Sequence, residues 1–132
     1  GGKLDAGARV LYVCGHNAGR SIAAECVTRA ARPELQVASA GTKASGKINP
    51  GMLAELERRG YATSGLRSKG LEDPEVGGLE PWDIVITMGC MDNACPFAPG
   101  KRVVDWGLPD PHGDASVIPA VVDAVERHVR EL

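Results

Sequence analysis

The sequence predicts an α/β protein built on a parallel, doubly wound sheet. Two observations carry this. Short apolar runs with β-branched members alternate with longer stretches of helical periodicity, and the 17 glycines and 9 prolines of the 132-residue chain fall mostly between them. The expected architecture is three-layer α/β/α around a four-stranded parallel sheet. A chain of this length buries one core and is too short for two, so residues 1–132 are expected to form a single domain. No internal repeat, low-complexity tract or linker interrupts it.

Ala8 to Val13 is a continuous apolar run with β-branched and aromatic members and a glycine before it, the pattern of a buried strand. From Arg20 to Ala31 the spacing turns helical, with Ile22, Ala23, Cys26, Val27 and Ala30 on one face, and Pro33 stops the helix. Gln36 to Ser39 is a second, short strand that runs into Gly41 and Thr42. Asn49 and Pro50 supply an N-cap and first helical position, Met52, Leu53 and Leu56 an inner face, and Gly60 a stop. Residues 62–81 are mixed and glycine-rich, predicting a loop with a short helix over Leu66 to Leu71. Asp83 to Met88, "DIVITM", is a strand, and Arg102 to Asp105 is the last one. From Ser116 onward a final helix buries Val121, Val122, Val125, Val129 and Leu132 and tolerates Pro119 in its first turn. Ligands of such sheets sit at the carboxyl ends of the strands.

Fifteen basic and 17 acidic side chains leave a formal charge of −2, which excludes a phosphate-tracking surface and argues against nucleic acid as a partner. No apolar run approaches the ~20 residues a membrane helix needs, and no export signal opens the chain, so a cytoplasmic protein with no membrane partner is expected. Of the four cysteines, Cys14, Cys26, Cys90 and Cys95, a structural disulfide framework is the poorer reading in that setting. Thiols used for chemistry or metal are the better one.

Cys14 stands where the first strand gives way to the first helix, and Gly15, His16, Asn17, Ala18 and Gly19 separate it from Arg20. Such a run can curl so that successive backbone N–H groups point inward as an anion nest. The helix start adds unpaired N–H groups and a positive dipole end, and Arg20 adds a planar fork for two oxygens of a tetrahedral anion. That field predicts Cys14 as a thiolate near neutral pH, with Ser21 donating to its sulfur. The plain alternative is a buried cysteine before an ordinary turn. The strand, the helix and the adjacent Arg20 and Ser21 together favour the cradle.

These features resemble the low-molecular-weight protein tyrosine phosphatase superfamily. The likeness continues through Ser39 to Thr42, "SAGT", and the helix ending at Gly60-Tyr61, and it spans nearly the whole chain. Within the superfamily, residues 87–113 resemble thioredoxin-coupled arsenate reductases: a strand ending near Cys90, then Cys95-Pro96, Trp106-Gly107 and Asp110-Pro111. Phosphatases of the group usually place aryl-stacking tyrosines after the Asp-Pro, where His112 and Gly113 stand here. The second cysteine usual in their loop is replaced by Gly19.

The resemblance implies arsenate as substrate, with phosphate or sulfate as analogues and slow phosphatase activity as a by-product. It implies Cys14 as nucleophile, residues 15–21 with Arg20 as oxyanion cradle, and Asp110 as the acid that protonates the departing oxygen. Cys90 would then attack Cys14, Cys95 would attack Cys90, and thioredoxin would take the resulting disulfide. Residues 89–99 are expected to move or refold along that route. Three alternatives stand beside it: a mycothiol and mycoredoxin route using Cys14 alone, a phosphatase, and a non-catalytic oxyanion-binding or regulatory module. Zinc held by Cys14, Cys90, Cys95 and His112 is disfavoured by the spacing, so no metal and no tightly bound cofactor is expected. Cys26 is read as core packing, Asn17 as ordering the loop, His16 as facing solvent, and Trp106 as backing the acid loop or filling the core. Some family reductases hold potassium through an asparagine, a glutamate, a serine and an aspartate. Asn17, Glu25 and Ser39 match three of these, and Lys69 falls at the fourth, where its ammonium would replace the cation. A monomer is expected.

Overall fold

The computed structural model describes residues 3–89, 102–111 and 113–132. Cys90, Cys95, His112 and nearly all of the segment expected to move lie outside the described residues. The elements run β1 (Arg9–Cys14), α1 (Arg20–Ala31), β2 (Gln36–Gly41), α2 (Pro50–Arg58), β3 (Ile84–Thr87), β4 (Arg102–Asp105) and α3 (Ile118–Arg130). The strands form one parallel sheet in the order β2-β1-β3-β4.

β1 lies inside the sheet because almost every residue in it can be buried. Val10 to Val13 have no exposed surface, as expected for a parallel strand covered on both faces. Side-chain alternation sends Val10, Tyr12 and Cys14 to one face, where they join Ile84, Ile86 and Met88 under α1, α2 and α3. Leu11, Val13 and Val85 point the other way and meet Val76 and Trp82 from the turns of residues 71–82. The Trp82 indole N–H donates to the Val76 carbonyl, which ties that cover to itself. β4 is an exposed edge strand. No described helix is long and apolar enough to cross a membrane.

β2 runs two residues further than the sequence reading, β3 is shorter by one at each end, and three other boundaries differ. Cys14 is the last residue of β1 and not the first after it, so its backbone is still held in the ladder against Gly41. The helix expected over Leu66 to Leu71 is absent. Gly65 takes a positive φ of 87°, and the Lys69 N–H and C=O that would close a helical turn are used elsewhere. The N–H donates to Asn17 Oδ1 and the carbonyl accepts from Gly41 N–H, while Gly70 bridges Gly41. The last helix begins at Ile118, after a 3-10 turn at Ala115–Val117 capped by the Asp114 carboxylate.

Candidate active site

The loop after β1 is held from outside by its carbonyls. Those of Cys14, Gly15, His16 and Ala18 accept from the N–H groups of Thr42, Lys43, Ser45 and Asn49, at 2.8 to 3.1 Å. The Ser68 hydroxyl adds a second donor to the His16 carbonyl. A peptide whose carbonyl points outward turns its N–H the other way, so the loop presents amide donors to its interior. Among the described residues, no acceptor meets the N–H groups of Gly15, Asn17, Ala18 or Gly19. Asn17 takes a φ of +49°, the left-handed step that closes such a nest. Gly19 caps α1 without any side-chain bond, which leaves the first-turn N–H groups facing the same space.

This packing explains Gly41. A Cβ there would sit 2.7 Å from the Gly15 carbonyl oxygen and 3.0 Å from the Asn17 N, so only glycine lets β2 press this close against the loop.

The direction of the hydrogen bonds under the loop is fixed by a backbone group. Lys69 N–H donates to Asn17 Oδ1 at 2.9 Å, which leaves the Asn17 amide nitrogen to face Ser21. That nitrogen donates to Ser21 Oγ at 2.7 Å, and Ser21 Oγ lies 2.8 Å from Cys14 Sγ. With the Asn17 donor already on its oxygen, the hydroxyl keeps its own proton available for the sulfur. Asn17 and Ser21 have no exposed surface, so water does not compete for these bonds.

Behind this chain lies a buried ionic group. Glu25 accepts from the Ser39 hydroxyl at 2.5 Å, pairs with Arg29 at 2.7 Å, and has the Lys69 ammonium 3.6 Å away. Lys69 and Glu25 are both almost wholly buried. The ammonium thus lies at the carboxylate shared by Ser39, beside the residues compared above with a potassium site. A potassium ion does not fit these residues, because the Lys69 ammonium, 3.6 Å from the Glu25 carboxylate and 3.8 Å from that of Glu75, already supplies the positive charge there.

Over the loop a hollow of about 50 Å³ is lined by Cys14, His16, Ala18, Gly19 and Arg20 on one side and by Asn49, Asp110 and Pro111 on the other. Arg20 Nη1 donates to the carbonyls of Met88 at 2.7 Å and Leu108 at 3.3 Å, and Nη2 lies 3.7 Å from Asp110 Oδ2. The Nε and Nη2 edge remains for two oxygens of an anion. His16 is solvent-exposed, as expected. Cys26 packs in the core, its thiol pushed up to about 11 by burial and then by the Glu25 charge. Trp106 stacks on His128 at 4.6 Å and meets Tyr12 at 5.2 Å, so of its two readings the core-packing one is seen. Among the described residues no group of three histidine, cysteine or acidic side chains could hold a metal.

The structure brings Cys14, residues 15–21 and Asp110 together. The clamp from Thr42 to Asn49, and Asn49 and Pro111 in the lining, were not singled out from sequence as site residues. The run Ser39 to Thr42 marked the clamp's start but not its task.

A thiol on the floor of an amide-lined hollow, beside an arginine and a carboxyl group, defines a cysteine-based oxyanion-handling α/β protein. The chain belongs to the low molecular weight phosphotyrosine protein phosphatase family, whose pattern matches residues 9–132. It is 30% identical over 128 residues to a glutaredoxin arsenate reductase of Synechocystis, covering 94% of this chain and 95% of that one. The fold superposes on a thioredoxin-dependent arsenate reductase of Corynebacterium glutamicum with a TM-score of 0.75 at 33% identity, over 98% of this chain and 61% of that longer one. This chain therefore spans about three-fifths of the Corynebacterium protein. An arsenate reductase in its phosphate-binding state matches with a TM-score of 0.79 at 29% identity, over 93% of this chain and 94% of that one.

Proposed function

We propose that this protein reduces arsenate to arsenite, using Cys14 as nucleophile and passing two electrons inward from thioredoxin through Cys95 and Cys90. The observation that carries the oxyanion half is the set of unmet loop amides around Cys14, backed by Arg20. The reading of arsenate over an aryl phosphate is supported by the lining, in which the described residues include no tyrosine, tryptophan or phenylalanine. The paired Cys90 and Cys95 and the two arsenate-reducing relatives support it further.

The Cys14 thiolate attacks arsenic(V) while the loop amides and Arg20 hold the oxygens, and Asp110 gives a proton to the departing oxygen, which leaves as water. Cys90 attacks the Cys14 sulfur. The sulfur–arsenic electron pair stays on arsenic, which departs as arsenite, and a Cys14–Cys90 disulfide forms. Cys95 attacks Cys90 and releases the Cys14 thiolate, and a dithiol partner reduces the Cys90–Cys95 disulfide.

The two relatives name different donors, glutaredoxin and thioredoxin. Steady-state arsenate reduction is therefore measured with thioredoxin, thioredoxin reductase and NADPH, and in parallel with glutaredoxin and glutathione or mycoredoxin and mycothiol. Turnover with thioredoxin that is lost in Cys14→Ser, Cys90→Ser and Cys95→Ser supports the relay. Turnover that survives loss of Cys90 would falsify it and favour a route using Cys14 alone. Fast aryl phosphate hydrolysis without arsenate reduction indicates a phosphatase.

A further inference from the structure

We propose that Asp105 is a positioning residue that aims the Arg20 guanidinium at the oxyanion. The inference rests on the reading of Arg20 as the anion-binding arginine.

Arg20 Nη1 is held by two carbonyls, Met88 at 2.7 Å and Leu108 at 3.3 Å. Met88 follows the end of β3, and its carbonyl shares a peptide plane with the Gly89 N–H. Its two neighbours are pinned by one atom. Asp105 Oδ1 accepts from the Thr87 hydroxyl and from the Gly89 N–H, each at 2.7 Å. Fixing residues 87 and 89 fixes the carbonyl between them. The Trp106 N–H donates to the Thr87 carbonyl at 2.8 Å, so β3 and β4 leave the sheet clasped together.

Gly89 makes the clasp possible. It takes a φ of +97°, and a Cβ there would lie 2.7 Å from the Leu108 carbonyl oxygen and 3.4 Å from Arg20 Nη1. The two strand exits thus close around the guanidinium, with both carbonyls on Nη1 and the Nε and Nη2 edge left over. Asp105 itself stands at the end of the exposed edge strand, outside the lining of the hollow. A rotation of the Met88 carbonyl would free Nη1 and let the guanidinium swing away from the position where two of its donors meet two anion oxygens.

The test is calorimetric titration of inorganic phosphate into the reduced protein, for wild type, Asp105→Ala, Asp105→Asn, Arg20→Lys and the double variant Asp105→Ala/Arg20→Lys. Circular dichroism and Tm are recorded for each. Asp105→Ala is expected to weaken phosphate binding about fivefold, the scale of a lost charge-assisted bond in a part-exposed site. Asp105→Asn keeps an accepting Oδ1 and is expected to stay within about twofold. In the Arg20→Lys background, where no guanidinium fills the clasp, Asp105→Ala is expected to cost nothing further. Unchanged binding in Asp105→Ala overturns the proposal, and so does a loss that persists in full beside Arg20→Lys. Wild-type phosphate binding that Arg20→Lys leaves untouched overturns the oxyanion reading of Arg20 itself, a failure distinct from that of Asp105.

Discussion

The loop from Cys14 to Ser21 and the segment from Asp105 to Pro111 face each other across one hollow, but the chain holds them differently. The loop is framed from behind. Its carbonyls are taken by Thr42, Lys43, Ser45 and Asn49, and Asn17 and Ser21 beneath it have no exposed surface. The opposite segment runs off an exposed edge strand, and the Asp110 side chain is 55% exposed, its carboxylate 3.7 Å from Arg20. The half proposed to bind the anion is thus part of the core, while the half proposed to donate the proton is laid over it. Fixed amide dipoles stabilise charge only when they need not reorganise, whereas a proton donor must reach solvent to be reloaded.

The variant expected to break the first half most completely is Asn17→Asp. A carboxylate still accepts from Lys69 N–H, but it no longer donates to Ser21 and places negative charge directly beneath the nest. Arsenate kcat/KM is expected to fall about a thousandfold, the upper scale for losing an oxyanion site. A loss under tenfold, read from steady-state kinetics, contradicts the role given to the chain of bonds from Lys69 to Cys14.

On the other wall, Asp110→Asn removes the proton and leaves the shape. It is expected to lower kcat about a hundredfold, as for a lost general acid, with phosphate affinity unchanged within about threefold. Equal losses in binding and kcat would mean that Asp110 supports the cradle as the loop does, and the contrast between the walls would collapse.

Gly41→Ala attacks the frame without touching the hollow. Its Cβ would overlap the Gly15 carbonyl, and a stability loss of about 1–3 kcal/mol is expected from denaturant unfolding, with weaker phosphate binding in the folded protein. Full stability would show that the loop yields, contrary to a frame that is rigid.

The smallest effect is expected far from either wall, where Glu55 on α2 pairs with Arg58 and Arg59. Hydrogen bonds from Arg58 and then Arg59 hold its carboxyl down at about 2. Because the folded value lies below the unfolded one near ~4.3, the stabilisation is present above that pH and is lost as pH falls toward 2. Glu55→Gln should leave kcat and KM unchanged and lower Tm slightly at neutral pH, with the difference from wild type shrinking between about pH 4.5 and 2. A Tm difference that is constant across that window contradicts the ionic cause.

The same contrast explains what could be read from the sequence. Periodicity located β1, α1, α2 and β3 because each buries an apolar set such as Val10 to Val13, and local patterns record burial well, whereas β4 was legible only from Val103 and Val104 and lies exposed at the sheet edge. The spacing from Cys14 to Arg20 was legible because a nest, a helix start and an arginine are all local features. The clamp from Thr42 to Asn49 was not, since it works through backbone N–H groups that any residue carries. The stretch Leu66 to Leu71 misled for the same reason: its helical spacing lost to tertiary bonds with Asn17 and Gly41. Lys69 was noticed only by analogy, and its pairing with Glu25 depends on contacts between distant segments.

The central claim is that oxidation begun at Cys14 ends on a second pair of sulfurs, and peptide mapping by mass spectrometry tests it most directly. Fully reduced protein receives one equivalent of arsenate with no external reductant, is alkylated, and is digested. The expected product is a Cys90–Cys95 disulfide in the wild type and a Cys14–Cys90 disulfide in Cys95→Ser, with arsenite released in both. Arsenite release without either bond, or no consumption of thiols at all, contradicts the account.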